Sequence, residues 1–113
     1  MNDRDKQLVE HMTRYCNEIK VAMEQFNYDK NIFMNNFVYF NSCTMSLLQI
    51  GELAGRISDE LRNNSDIPWK KIRGMRNIFA HDYLSVDKER VWYTIENDVP
   101  ELHDKLIKLL AEQ

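Results

Sequence analysis

From Asp3 to Phe26 the apolar residues Leu8, Met12, Tyr15, Ile19, Ala22 and Phe26 recur at alternating steps of four and three, with no glycine or proline among them. That spacing lines them along one stripe of an α-helix and along no single face of a strand. The chain therefore starts as a long amphipathic helix, and the stripe must be buried against other elements.

The same periodicity runs on. Asn27-Tyr28-Asp29 reads as a turn with Asp29 as a helix N-cap, after which Phe33, Phe37, Phe40, Leu47, Leu48, Leu53 and Ile57 extend a second helix to about Leu61. Within it Gly51 and Gly55 lie one turn apart beside Ala54. Glycine costs about 1 kcal/mol against alanine inside a helix, so close approach by another helix is the expected compensation. Arg62-Asn63-Asn64-Ser65-Asp66 is polar turn material, and Pro68 suits the first turn of a third helix running to about His81. Ser85 and Asp87 offer caps for a fourth helix carrying Val91, Trp92, Ile95 and Val99. Pro100 is then expected to kink or restart the chain into a last helix bearing Leu102, Leu106, Leu109 and Leu110. No strand pattern or repeat interrupts the series. Long helices with short connections favour antiparallel neighbours, so the fold class is all-α, an up-and-down bundle of four to five helices in one domain, 1–113.

Several function classes drop out. The longest uninterrupted apolar run, Phe37 to Phe40, is far short of the roughly 20 residues a bilayer requires, so no membrane is expected. The opening Met1-Asn2-Asp3-Arg4-Asp5 has no apolar run behind it and does not read as a secretory signal, which points to the cytoplasm. Cys16 and Cys43 lack CxxC spacing and read as reduced core thiols. A net charge of −3 argues against a broad footprint for long nucleic acid but leaves room for a local basic cluster. No metal-ligand spacing, glycine-rich phosphate loop or nucleophile elbow is present, so neither metal nor cofactor is expected. His11 and His103 read as ordinary surface or edge histidines.

The informative stretch is Trp69 to Tyr83. On an ideal helix Ile72, Met75, Phe79 and Tyr83 share an apolar face, while Lys70, Arg73, Asn77 and His81 line the opposite one. Asn77, one turn before His81, could hold one ring nitrogen and fix the imidazole tautomer. Arg76 falls at the apolar edge, where a permanent cation must find a carboxylate, a phosphate or water, and Glu52 is the candidate partner. Arg76 and His81 point roughly 140° apart on one helix, so a shared site needs helix termination, a long reach or a second subunit. From the residues alone two readings stand: a working pair, or a helix-terminal histidine facing the macrodipole beside a snorkelling surface cation.

Arg76-Asn77-Ile78-Phe79-Ala80-His81-Asp82-Tyr83 resembles the Arg, four residues, His, any residue, Tyr pattern of HepT-like members of the HEPN superfamily. Gln49-Ile50-Gly51-Glu52-Leu53-Ala54, Ile67-Pro68-Trp69, Arg73-Gly74-Met75, Val91-Trp92 and Asp98-Val99-Pro100-Glu101-Leu102 extend the resemblance over about residues 45 to 110. It implies a homodimer whose motifs face one cleft, and a metal-independent ribonuclease toxin acting on RNA, with Arg76 and His81 catalytic. Arg73, Asn77 and Glu52 would support them. It further implies a minimal nucleotidyltransferase antitoxin that moves AMP from ATP onto Tyr83 and so silences the toxin. A binding or interaction module that grips nucleotide or RNA without cutting it is the alternative.

Overall fold

The computed structural model describes residues 1–79 and 86–112, and no strand occurs among them. The first helix, α1 (Asp3–Gln25), opens where the Asn2 side chain accepts from the Asp5 amide at 2.7 Å, with Asp3 and Asp5 at the positive end of the helix dipole. Of its predicted stripe Leu8, Met12, Ile19 and Ala22 are buried and Tyr15 and Phe26 half-buried against the core, with Cys16 rather than Tyr15 facing inward at that turn. It ends where Asn27 and Tyr28 take left-handed backbone angles, φ 58° and 54°, and the Tyr28 amide returns to the Met23 carbonyl.

The expected second helix is three. Helix α2 (Lys30–Asn35) begins at Asp29 as predicted, but Asn36 leaves the helical region (φ −120°, ψ 110°) and its side chain accepts from the Tyr39 amide, starting α3 (Phe37–Ala54). Asparagine side chains compete for backbone donors and so favour caps over helix interiors, a signal hidden here by the unbroken apolar spacing. The bend carries Phe33 inward against Tyr39, Phe40 and Trp92. Past Gly55, Ser58 caps α4 (Asp59–Asn63) and is itself held by the buried Asp5 carboxylate, which accepts from its amide and hydroxyl.

The third predicted helix is α only over α5 (Trp69–Arg73). From Gly74 to Phe79 the winding tightens to a 3₁₀ helix. Gly74 is the poorest helix former of the stretch, and the change falls on it. Helix α6 (Lys88–Tyr93), capped by Asp87, runs through one π turn (Thr94–Asp98) into α7 (Val99–Ala111). Pro100 thus restarts nothing: Asp98 and Val99 are both helical, and the widened turn just before the proline accommodates its ring.

Contacts at the helix ends give the directions. Phe26, after α1, stacks on Tyr39 at the start of α3 (centroids 4.5 Å apart), while Asp5 reaches Ser58 beyond the end of α3, so these helices are antiparallel. Arg73 lies by Gly55 and Arg76 by Gly51, so the 69–79 arm runs back along α3. Ile19 and Met23 line a cleft with Val99 and His103, whereas Asn2 and Asp5 line one with Leu109, so α7 opposes α1. The result is an all-α, up-and-down bundle. Cys16 and Cys43 are free and buried in its core, and burial pushes both thiols up to about 12, which leaves them inert. His11 is exposed; His103 is partly buried, and desolvation lowers its pKa, with Asp104 opposing and Lys20 assisting.

Candidate functional site

The site is built where the 69–79 arm presses on the last turns of α3. Ile72 and Met75 are buried, as their predicted face requires, while Lys70, Arg73, Arg76 and Asn77 are exposed. The arm comes so close that a Cβ at Gly51 would lie 2.8 Å from the Arg76 backbone nitrogen. The close approach expected for the glycines is therefore real at Gly51, and the partner is the backbone of Arg76 itself. At Gly55 a Cβ would meet Arg73 Nε at 3.5 Å, ordinary contact.

With its backbone seated on Gly51, Arg76 needs only to turn toward the next residue of α3 to find a carboxylate. Its Nε lies 2.7 Å from Glu52 Oε1, the pairing the sequence suggested. The Arg76 side chain is 55% exposed and that of Glu52 35%, so the cation is paired and partly open to water. The closest contact engages one of the five N–H donors of the guanidinium, and the exposed remainder can take a phosphate. Arg73, with its Nε by Gly55, and Arg76, seated on Gly51, both lie along the end of α3. Arg62 donates to the Gly55 carbonyl at 3.2 Å and satisfies that helix end.

His81 and Tyr83, with Ala80, Asp82 and the predicted cap Ser85, lie outside the described residues, as does the side chain of Phe79. The structure therefore brings together Arg76, Glu52 and Arg73, with Asn77 exposed on the same segment. The Asn77–His81 pairing drawn from helical spacing likewise reaches outside the described residues. Among the described residues no group of three His, Cys, Asp or Glu side chains could hold a metal ion. No helix among them is long and apolar enough to cross a membrane. Sequence reasoning passed over Tyr93 and Arg90, one turn apart on α6, which line a cleft with Gly74 and Met75 of the arm.

Residues 12–109 match the family model described as Ribonuclease HepT-like. A protein of Caldanaerobacter subterraneus subsp. tengcongensis, provisionally named an RNase, is 28% identical over 106 residues, covering 93% of both chains. One of Methanocaldococcus jannaschii, also provisionally named an RNase, is 31% identical over 103 residues, covering 88% of this chain and 87% of its own. A third, from Thermococcus cleftensis and provisionally named ribonuclease HepT, is 27% identical over 101 residues, covering 84% of this chain and 92% of its own. No solved structure matches this chain significantly.

Proposed function

The chain belongs to the HepT-like ribonuclease family, and from that premise we propose that it is the metal-independent endoribonuclease toxin of a toxin–antitoxin pair, silenced by AMP on Tyr83. The observation that carries the reading is Arg76, seated on the bare Gly51 backbone, oriented by Glu52 and still half open to solvent.

In this reaction the 2′-hydroxyl of RNA attacks the adjacent phosphorus and gives its proton to a base. The bond to the 5′-oxygen breaks, and that oxygen takes a proton from an acid, leaving a 2′,3′-cyclic phosphate. His81, whose unperturbed pKa lies near neutrality, fills either proton role, and Arg76 stabilises charge building on the phosphoryl oxygens. Arg73 adds positive charge along the same end of α3, and Asn77 orients His81. One chain supplies one such histidine and the step needs two proton-transfer groups, so the working unit is a homodimer with both motifs in one cleft. Support for that dimer comes from α3, where Val38 and Met45, spaced by two helical turns in line with Glu52, are 55% and 57% exposed, beside Phe37 at 75%.

The antitoxin, a minimal nucleotidyltransferase, would join the Tyr83 oxygen to the α-phosphorus of ATP with loss of pyrophosphate. The added phosphate and adenosine would occupy Arg76 and Arg73 and exclude RNA by charge and volume. The deciding experiment incubates the purified chain with cellular RNA and a chelator. Cleavage by wild type, abolished in His81→Ala and Arg76→Ala variants that still fold, is the expected result; intact RNA with all three points to a module that binds without cutting. Intact mass after incubation with nucleotidyltransferase and ATP should rise by one AMP unit for wild type and not for Tyr83→Phe.

A further inference from the structure

We propose that the cleft between the 3₁₀ segment and α6 is a nucleotide subsite for single-stranded RNA, with Tyr93 as its stacking platform and Arg90 and Lys71 as its phosphate contacts. The inference rests on the ribonuclease reading of the adjoining site and adds where the substrate strand lies.

The cleft, about 340 Å³, is lined by Lys71, Gly74, Met75, Arg90, Tyr93 and Asp98. Its wall is the same segment whose next residue, Arg76, sits against α3. The two aromatic residues of α6 have opposite fates. Trp92 is 5% exposed and packs on Phe33 and Tyr39, whereas Tyr93 is 61% exposed and its ring meets no other ring among the described residues. A lone exposed tyrosine is ordinary, but this one has Arg90 one helical turn before it and Lys71 in the opposite wall. At Gly74 a Cβ would find nothing within 4 Å, so the cleft stays open there. Among the described residues the one carboxylate lining it, Asp98, is matched by Lys71 at 3.5 Å, and Arg90 has no carboxylate partner.

An open aromatic face flanked by cations is what an unstacked base and its phosphates require. The base stacks on the ring, and the guanidinium and ammonium take the backbone. Stacking accepts every base, so the subsite contributes affinity and strand register without selecting sequence.

The test measures binding of a fluorescent single-stranded RNA oligonucleotide to the full chain carrying His81→Ala, which separates binding from cleavage. In that background Tyr93→Ala should weaken binding about tenfold, and Tyr93→Phe should keep near-parental affinity. The loss should vanish when the oligonucleotide is replaced by an abasic ribose-phosphate strand. Arg90→Ala should weaken both strands and flatten the salt dependence. Unchanged affinity in Tyr93→Ala, or equal losses in Tyr93→Ala and Tyr93→Phe, would overturn the subsite. The two readings fail separately: RNA cleavage by the parent chain with Tyr93-indifferent binding sinks only the subsite, while Tyr93-dependent binding by a parent that cuts nothing sinks only the nuclease.

Discussion

Arg76 shows how much one residue's surroundings decide. Its exposure places the pair with Glu52 among surface ion pairs, which contribute about 0–1 kcal/mol. Arg76→Ala should therefore leave the thermal midpoint nearly unchanged while lowering RNA cleavage by about 100-fold or more, as expected for loss of a charge-stabilising donor. Calorimetry and a cleavage time course check the two halves. Gly51→Ala should behave differently, because the new methyl would meet the Arg76 backbone at 2.8 Å. Overpacking costs about 1–3 kcal/mol and the gain in helix propensity returns about 1, so a net loss near 1 kcal/mol and a displaced Arg76 are expected. Gly55→Ala, with only ordinary contacts, is the control, and equal effects from the two would refute the seat at Gly51. At this scale the sequence was informative: a glycine pair in an apolar helix and a stray arginine pointed to Gly51 and to Glu52. It did not name what approached Gly51, because the match between two backbones leaves no mark in side-chain pattern.

Among the elements, α1 was legible from its stripe and from the turn at Asn27-Tyr28-Asp29, whereas its Asn2 cap went unread among the other polar residues of the opening segment. The second helix was read as continuous because Phe33, Phe37 and Phe40 keep helical spacing across the break, and only Asn36 betrays it. Replacing that cap with Asn36→Ala should cost about 1 kcal/mol, seen as a lower urea midpoint with unchanged slope. No change would mean that packing of Phe33, rather than the cap, sets the bend. The π turn before Pro100 was invisible for a different reason. An extra residue in a helical turn alters the hydrogen-bond span while Val91, Ile95 and Val99 still face the core. The tightening at Gly74 was equally silent, since Ile72 and Met75 are three apart and share a face in either winding.

For the whole molecule, the exposed line on α3 predicts association. Val38→Glu with Met45→Lys should convert a dimer to a monomer in light scattering at micromolar concentration, with helix content intact. A parent chain that is already monomeric would refute the shared cleft. The up-and-down order could be inferred from helix lengths, whereas the face left uncovered could not, because apolar residues inside a fold and between copies look alike in sequence. The helices α1 and α3 are also fastened to each other at both ends, by Phe26 stacked on Tyr39 and by Asp5 bonded to Ser58 across 53 positions. That hairpin carries Gly51 and Glu52, while Arg76 arrives on a separate arm made of one short helix and a 3₁₀ stretch with weaker hydrogen bonding. The arm can therefore lift away at a free energy below that of global unfolding, leaving the hairpin closed. Amide exchange should read this as earlier deuterium uptake over 69–79 than over the middles of α1 and α3.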